Sequence, residues 1–366
     1  MGIGKRSMEG LEMISLSSYK GKKVLITGHT GFKGGYLSAL MKTLGAFVTG
    51  YSLEPPTDPS LFELCKLERD VNHITGDVRD YEKLLKVFRE VKPEIVFHLA
   101  AQPIVRTSYR EPRLTYETNV MGTVNILECI RQTDSVRSFL NVTTDKVYQN
   151  DDLDVAFKEE MPLDGFDPYS NSKSCSELVT HSYVKSFFND KDGVRVSTAR
   201  AGNVIGGGDF APDRLIPDCV RAAEENKDIV LRNPDSTRPF QHVLEPVTVY
   251  AEIAAAQYED PKYADYYNVG PDIRDVKSTK ELSEIFCREW GDGLKTVVKP
   301  DGGPHEAAFL KLDCTKLKEK LNWKSVWDIE EGVRNTVLWS RIYVSGGDVR
   351  KELSRQIEKY LSDRED

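Results

Sequence analysis

Two pairs of side chains near the middle of the chain have the types and spacing for an oxidation coupled to an elimination. Tyr169 and Lys173 stand four residues apart, so a helix would place the phenol and the ammonium on one face. A neighbouring ammonium favours the phenolate, which predicts a pKa below the ordinary tyrosine value of about 10. Asp145 and Lys146 add an acid and a base that alcohol oxidation alone does not require. Together the pairs indicate removal of water by way of a transient oxidation.

A glycine-rich turn near the start of the chain predicts a dinucleotide site. Gly28, Gly31 and Gly34 follow a predicted strand and open a predicted helix. Glycines allow a tight turn and let backbone N–H groups approach a pyrophosphate at the helix N-terminus, where the helix dipole favours negative charge. The cofactor that takes the hydride is therefore predicted to be a nicotinamide dinucleotide.

The residues expected near the adenosine ribose leave both NAD and NADP open as the cofactor. The second predicted strand ends near Ser52 with no acid at its tip, and Glu54 follows two residues later. Because no arginine stands there, NAD is favoured over NADP, although Lys33 in the glycine turn could meet a ribose phosphate. Asp77, at the end of a further predicted strand, could accept a hydrogen bond from the adenine amino group.

The elements around these residues are predicted to form a doubly wound, parallel-sheet α/β fold of Rossmann type. From Lys22 onward, short apolar runs alternate with longer helical periodicities, which favours a parallel sheet with helices on both faces. The predicted strands are Val24–Thr27, Phe47–Tyr51, Ile95–Leu99, Phe139–Thr143 and Val194–Ala199. The predicted helices are Gly34–Leu44, Tyr81–Val91, Leu114–Arg131 and Ser170–Asn189.

A smaller, discontinuous, mixed α/β substrate domain is predicted where this rhythm breaks, after Gly202. Glycines cluster and prolines recur beyond that point. We predict a flexible extension over 1–18, a cofactor-binding domain over 19–203 and 239–272, and a substrate domain over 204–238 and 273–366. The last twenty residues, 347–366, are charged and are predicted to be a solvated helical tail.

Composition argues against several classes of protein. The net charge of −8 does not suit a nucleic-acid-binding surface. No apolar run approaches the ~20 residues of a membrane span, and no spacing of histidine, cysteine and carboxylate suggests a metal site. Six scattered cysteines without a CxxC motif predict reduced thiols and a cytoplasmic location.

The motifs resemble those of the extended short-chain dehydrogenases/reductases that act on sugar nucleotides, and the resemblance runs roughly from Lys22 to Trp339. In chain order they are Thr27-Gly-x-x-Gly-x-x-Gly34, His98-Leu-Ala-Ala-Gln102, Thr118-Asn-Val-Met-Gly-Thr123, Thr143-Thr-Asp-Lys146 and Tyr169-x-x-x-Lys173. A likeness to the dehydratases of this family is carried by 28–35, 199–209, 213–218 and 238–246.

The resemblance implies a lyase that makes a 4-keto-6-deoxy sugar from a nucleotide-diphospho-hexose and recycles its NAD. Tyr169 would take the proton of the 4-hydroxyl, and Asp145 would protonate the departing 6-hydroxyl. Lys146 would take the C5 proton or hold the enolate by its charge. A lysine can be a base only if its pKa is depressed.

The resemblance also implies roles for residues around this centre. Further catalytic positions are Thr144 and Asn119. The cofactor positions are Gly28, Gly31, Phe32, Gly34, Ser52, Asp77, Val78, Leu99, Ala100, Tyr169 and Lys173. The substrate positions are Gln102, Asn203, Arg214, Arg238 and His242, with Glu306 as a further candidate. A structural role is an equal alternative for His242 and Glu306. Phe210 and Phe240 stand where relatives commonly carry tryptophan.

The sequence leaves alternatives open for the substrate and for the reaction. A CDP-hexose is favoured, but GDP-, dTDP- and UDP-sugars share the chemical motifs. A 4-epimerase or decarboxylase would share Tyr169 and Lys173 but would not need Asp145 and Lys146. A non-catalytic NAD-binding protein would need neither pair. By resemblance, a homodimer or homotetramer would form through the helices at 114–131 and 170–189.

Overall fold

The computed structural model describes residues 14–150, 155–189, 193–299 and 310–365. Its helices are α1 (Phe32–Thr43), α2 (Leu61–Leu64), α3 (Tyr81–Val91), α4 (Val105–Arg110), α5 (Pro112–Tyr116), α6 (Gly122–Arg131), α7 (Pro168–Phe187), α8 (Leu215–Glu224), α9 (Leu244–Glu259), α10 (Thr279–Trp290), α11 (Thr315–Leu321), α12 (Ile329–Val344) and α13 (Val349–Glu365). Its strands are β1 (Lys23–Thr27), β2 (Phe47–Ser52), β3 (Asn72–Thr75), β4 (Ile95–His98), β5 (Ser138–Val142), β6 (Ala156–Phe157), β7 (Arg195–Ala201), β8 (Val204–Ile205), β9 (Ile229–Leu231), β10 (Thr237–Arg238), β11 (Gln241–His242), β12 (Tyr266–Val269), β13 (Lys277–Ser278), β14 (Thr296–Val298) and β15 (Lys311–Leu312).

A parallel sheet of seven strands confirms the predicted fold class. Its order is β12-β7-β5-β4-β1-β2-β3, so the chain starts in the middle and winds outward in both directions. Along β1, Val24 and Ile26 face one layer of helices and Leu25 faces the other. This alternation follows from the two-residue repeat of a strand that is buried on both faces. The crevice at the carboxyl ends of such strands is where ligands bind in this fold.

The predicted helix Leu114–Arg131 is confirmed as helical throughout, but it is not one regular α-helix. It is divided into α5, a π-helical turn over Glu117–Met121, and α6. The apolar periodicity could not reveal this turn, because one wide turn changes the hydrogen bonding without interrupting the apolar stripe. Such turns frequently occur at functional sites. Here the turn carries Asn119.

The C-terminal segment is not a solvated tail, contrary to the prediction. Val349, Leu353, Ile357 and Tyr360 of α13 are buried in the same core as α1 and α9. Arg364 pairs with Glu252 of α9 at 2.6 Å, with both side chains almost fully buried. The apolar residues form a stripe at helical spacing, which the high charge of the segment concealed.

The predicted N-terminal extension is likewise wrong where the structure describes it. Leu16 is buried in the core, and Arg364 donates to the carbonyl of Ile14 at 2.7 Å. Residues 1–13 lie outside the described residues. The division into domains stays a prediction. In the described part of the chain, every helix is too short or too polar to span a membrane.

Candidate functional site

A large cleft opens at the carboxyl ends of β1, β4 and β5 and extends under the loops that follow β7. Its volume of about 890 Å³ is near the upper end of the range for small-molecule sites. Nearly all the predicted site residues line it, and they are Gly28, Gly31, Phe32, Gly34, Ser52, Asp77, Val78, Leu99, Ala100, Gln102, Thr144, Asp145, Lys146, Tyr169, Lys173, Asn203, Arg214 and Arg238. Their individual roles stay predictions.

The glycine turn has the form of an anion cradle. Gly28 has a φ of +76°, and a Cβ there would lie 2.7 Å from the nitrogen of Ala100. A Cβ at Gly34 would lie 2.1 Å from the carbonyl oxygen of Gly28, so neither position admits a side chain. Helix α1 begins after Gly31 with no side-chain cap and no acid in its first turn. Its first N–H groups and the positive end of its dipole suit a pyrophosphate.

The adenosine end of the cleft has acceptors held in place by neighbouring side chains. Asp77 is bound by the guanidinium of Arg79 at 2.6 Å, and this hydrogen bond holds the pKa of Asp77 below its usual value. Glu54 accepts from Thr75 at 3.1 Å, and Ser52 shares a hydrogen bond of 2.8 Å with Thr30. These groups, with Glu54 itself lining the cleft, fit a dinucleotide whose ribose hydroxyls need acceptors.

Tyr169 and Lys173 share the face of α7 that borders the cleft. Lys173 is 4% exposed and donates to the carbonyl of Val142 at 3.1 Å. Burial, together with the charge of Lys33, lowers the pKa of Lys173 to about 8. The ammonium thus titrates near neutral pH in this site.

The prediction of a lowered tyrosine pKa is wrong for this structure. Burial raises the pKa of Tyr169 to about 12, and the hydrogen bond with Thr144 only partly opposes the rise. The ammonium of Lys173 is directed to the Val142 carbonyl, and the nearby charge of Asp145 also disfavours a phenolate. Tyr169 is therefore a neutral phenol here.

Asp145 is a buried side chain at the wall of the cleft. It is 1% exposed, and burial raises its pKa despite the opposing charge of Lys146. Its Oδ1 accepts from the Thr144 hydroxyl at 3.0 Å. Its Oδ2 has no hydrogen-bond partner among the described residues. Such a group can hold a proton and give it to a ligand in the cleft.

Two predicted site residues do not line the cleft. Asn119 is buried, accepts from the Gln102 nitrogen at 2.8 Å and donates to the Ser172 hydroxyl at 2.9 Å. It ties the loop after β4 to α7, so the structure gives it a positioning role. His242 is 1% exposed, with its ring centroid 5.0 Å from that of Trp327 and 6.2 Å from that of Tyr36. The prediction that His242 contacts substrate is wrong, because the ring packs inside the core.

The substrate half of the cleft is rich in arginine, as a diphosphate would require. Arg214 pairs with Asp209 at 3.1 Å, and Arg238 is 4% exposed and donates to the Thr237 carbonyl. Arg232, which the sequence did not single out, also lines the cleft. Glu306 lies outside the described residues.

The remaining substrate positions line the same half. Asn203, Phe210 and Phe240 border the cleft, and so does Gln102. The Gln102 amide donates to the Thr115 hydroxyl at 2.9 Å, so its side chain is held in place. Phe210 and Phe240 thus place two aromatic rings at the cleft wall.

Lys33 belongs to the catalytic end of the cleft and not to the adenosine end. Its charge acts on Asp145, Lys173 and Arg214. Burial lowers the pKa of Lys33 to about 8. The alternative in which Lys33 meets a ribose phosphate gains no support, because the charges near Lys33 are those of Asp145, Lys173 and Arg214.

A buried carboxylate that the sequence analysis did not find holds the catalytic helix to the sheet. Glu177 of α7 is fully buried and accepts from Thr143 at 2.5 Å, Thr198 at 2.7 Å and Arg200 at 3.0 Å. The sequence signal was its spacing of four residues from Lys173 and eight from Tyr169. Among the described residues, no group of three or more histidine, cysteine or acidic side chains could hold a metal.

The chain is similar in sequence to known sugar-nucleotide dehydratases. A model of the GDP-mannose 4,6-dehydratase family matches residues 25–336. The chain is 44% identical over 355 residues to a CDP-glucose 4,6-dehydratase of Salmonella typhimurium, covering 96% of this chain and 99% of that one. It is 26% identical over 338 residues to a dTDP-glucose 4,6-dehydratase of Xanthomonas campestris pv. campestris, covering 86% and 92% of the two chains.

Solved structures show the same fold at low sequence identity. The UDP-glucose 4-epimerase of Thermotoga maritima superposes with a TM-score of 0.76 at 22% identity, covering 88% of this chain and 99% of that one. A dTDP-glucose 4,6-dehydratase of Bacillus anthracis in complex with NAD gives a TM-score of 0.72 at 23% identity, covering 90% and 99%. At these identities the likeness establishes the fold alone.

Proposed function

The chain belongs to the GDP-mannose 4,6-dehydratase family of extended short-chain dehydrogenases/reductases, and from that premise we propose that it converts CDP-glucose to its 4-keto-6-deoxy derivative with NAD. The observation that carries the proposal is the buried Asp145, whose pKa is raised by burial, beside Lys146 in the same cleft as Tyr169 and Lys173. A 4-epimerase needs no acid for a leaving hydroxyl. The likeness to the Salmonella enzyme favours a cytidine nucleotide.

Different residues carry out the separate proton transfers of the reaction. When bound, NAD supplies the nicotinamide that accepts hydride from C4 of the sugar and returns it to C6. The Tyr169 oxygen, once its own proton has left, removes the 4-hydroxyl proton, and the resulting ketone acidifies the C5 hydrogen. Lys146 takes the C5 proton, and Asp145 protonates the 6-hydroxyl as it leaves as water. Positioned acid and base groups of this kind each contribute about 10²–10⁴-fold.

The cofactor and the substrate bind in different halves of the cleft. The glycine turn and the uncapped start of α1 hold the cofactor pyrophosphate, and Asp77 accepts from the adenine amino group. Arg214 and Arg238 bind the substrate diphosphate, and Asn203 and Gln102 bind the sugar. The Asp209 partner of Arg214 keeps that guanidinium oriented in the free enzyme.

Purified protein incubated with NAD and CDP-glucose tests the proposal. A 4-keto-6-deoxy sugar develops an ultraviolet chromophore in alkali, whereas an epimerised sugar does not. GDP-, dTDP- and UDP-glucose, tested in the same preparation, should give far slower turnover. Absence of the chromophore with all four substrates would contradict the proposal, and faster turnover of another nucleotide would reassign the base.

A homodimer or homotetramer is proposed for the assembly. Met121 lies on the π-helical turn before α6, and Leu178 and Phe187 lie on α7. Each is at least half exposed, which suits burial against a second copy. Light scattering coupled to gel filtration would show the assembly, and a monomer at micromolar concentration would contradict it. A cytoplasmic location also stays a proposal, in keeping with six free cysteines.

A further inference from the structure

The glycine turn is tied to the far edge of the sheet through two histidines. His29 follows Gly28 in the turn, and its Nε2 lies 2.7 Å from Nδ1 of His73 on the edge strand β3. His73 Nε2 lies 3.3 Å from the hydroxyl of Thr75, which donates to Glu54 at 3.1 Å. A continuous chain of hydrogen bonds therefore runs from the turn that suits a pyrophosphate to a carboxylate that lines the adenosine end of the cleft.

The sheet leaves room for this chain of hydrogen bonds. Gly50 of β2 lies opposite His73 in the register of β2 and β3, and a Cβ at Gly50 would lie 2.2 Å from the ring of His29. The missing side chain thus leaves the space in which the His29 ring crosses β2. His73 and Thr75, two residues apart on β3, share one face of the strand. Phe62 packs against the two imidazoles with centroid distances of 5.3 and 5.2 Å, so the rings are held in place.

The hydrogen bonds have one direction along the chain. The Thr75 hydroxyl has a single proton, which it donates to Glu54, so its oxygen accepts from His73 Nε2–H. A neutral imidazole carries one N–H, hence His73 Nδ1 accepts from His29 Nε2–H. The opposite direction would require protons on both nitrogens of His73, and so a cation against the buried ring of His29. Burial, together with His73, lowers the pKa of His29 to about 3, which keeps this imidazole neutral.

We propose that His29 and His73 are positioning residues that orient Glu54 for the hydroxyls of the adenosine ribose, and that this orientation gives the site its preference for NAD over NADP. A carboxylate accepts from the free 2′-hydroxyl of NAD but repels the 2′-phosphate of NADP. Thr30, the next residue of the turn, holds the same edge of the cleft, because its hydroxyl donates to the carbonyl of Leu53 at 2.9 Å. This inference rests on the proposed function, whose cofactor it specifies.

A double-mutant cycle between His73 and Glu54 tests this role. Isothermal titration calorimetry of the free protein gives the affinities for NAD and for NADP. His73→Phe keeps a ring against Phe62 but removes both nitrogens, and it should weaken NAD binding by about 2–10-fold, the range that one hydrogen bond contributes. NADP binding should not weaken. In the Glu54→Ala background the same substitution should have no further effect on NAD binding, because no carboxylate is left to orient.

Thr75 offers a rescue variant, and β3 offers a matched control. Thr75→Val interrupts the chain and should weaken NAD binding as His73→Phe does, whereas Thr75→Ser keeps the hydroxyl and should bind NAD like the wild type. Because Thr75 is exposed, its variants give the same test even if His73→Phe does not fold. Asn72→Ala, at an exposed position of the same strand, should leave both affinities unchanged.

The outcomes separate this role from the proposed function. Equal weakening of NAD binding by His73→Phe with and without the Glu54 carboxylate would show a merely structural effect and overturn the inference. Unchanged NAD affinity in Thr75→Val would also overturn it. If the wild type forms the alkaline chromophore from CDP-glucose and NAD, the proposed function stands in either case. Tighter binding of NADP than of NAD by the wild type would overturn the inference and reassign the cofactor as well.

Discussion

At the scale of single residues, three lysines (Lys33, Lys146 and Lys173) and the buried Asp145 line the same cleft. Lys33 and Lys173 both have pKa values lowered to about 8, whereas Asp145 has a raised pKa. Burial is the main cause in each case, because it disfavours whichever form is charged. Groups whose pKa values are shifted toward neutrality in one cleft are the usual mark of acid–base chemistry.

The role of Lys146 can be separated from that of its neighbours. Lys146→Met should lower dehydration of CDP-glucose by about 10²–10⁴-fold, because no base remains for C5. Oxidation of CDP-6-deoxyglucose should stay within about tenfold of the wild type, since that step does not involve C5. Incorporation of solvent deuterium at C5 should also disappear. Continued exchange at C5 in the variant would assign the base to another group.

Lys33 should control the alkaline limit of the oxidation. Lys173 is charged below its folded-state pKa of about 8, so C4 oxidation should fall as the pH rises through that value. The charge of Lys33 lowers this pKa, and Lys33→Met should therefore move the alkaline limb to higher pH. Lys42→Met, at an exposed position on the same helix, is the matched control. An unmoved limb in Lys33→Met would show that the two ammonium groups are not coupled.

At the scale of elements, α7 and the turn after β5 must keep a fixed separation. Glu177 holds them through Thr143, the residue before Thr144, and through Arg200 of β7. The sequence could predict α7, the glycine turn and the strand before Thr143, because each has a local pattern. It could not predict the π-helical turn or the Glu177 network, since these depend on contacts between distant segments.

Removing the charge of Glu177 should destabilise the protein strongly. Glu177→Gln leaves the guanidinium of Arg200, which is 1% exposed, without its carboxylate. Breaking one side of a buried ion pair costs about 3–5 kcal/mol in the free energy of unfolding. Glu90→Gln, which breaks the exposed pair with Lys86, should cost at most about 0.5 kcal/mol. Urea unfolding of both variants makes the comparison, and equal stabilities would contradict it.

At the scale of the whole molecule, the chain ends help to build the core under the site. Leu16 and α13 pack on the same layer as α1, whose N-terminus forms the anion cradle. The sequence predicted the parallel sheet from its alternating pattern, but it assigned both ends to solvent. A few apolar residues within a charged segment give only a weak amphipathic pattern. The buried position of α13 therefore becomes visible only from its packing against α1 and α9.

The contribution of α13 can be measured directly. Leu353→Ala should lower the free energy of unfolding by about 2–5 kcal/mol, because the side chain is 2% exposed within the main core. Lys351→Ala, at an exposed position of the same helix, should change it by less than about 0.5 kcal/mol. If Leu353→Ala unfolds at the same urea concentration as the control, α13 does not belong to the cooperative core.

The transfer of hydrogen within the sugar is the most direct test of the central claim. CDP-glucose carrying deuterium at C4 should give a 4-keto-6-deoxy product with the deuterium on C6, even in ordinary water. This follows because the hydride that leaves C4 is carried by the bound nicotinamide and returned to the same sugar molecule. A product without label at C6, with the deuterium recovered in solvent, would contradict the account.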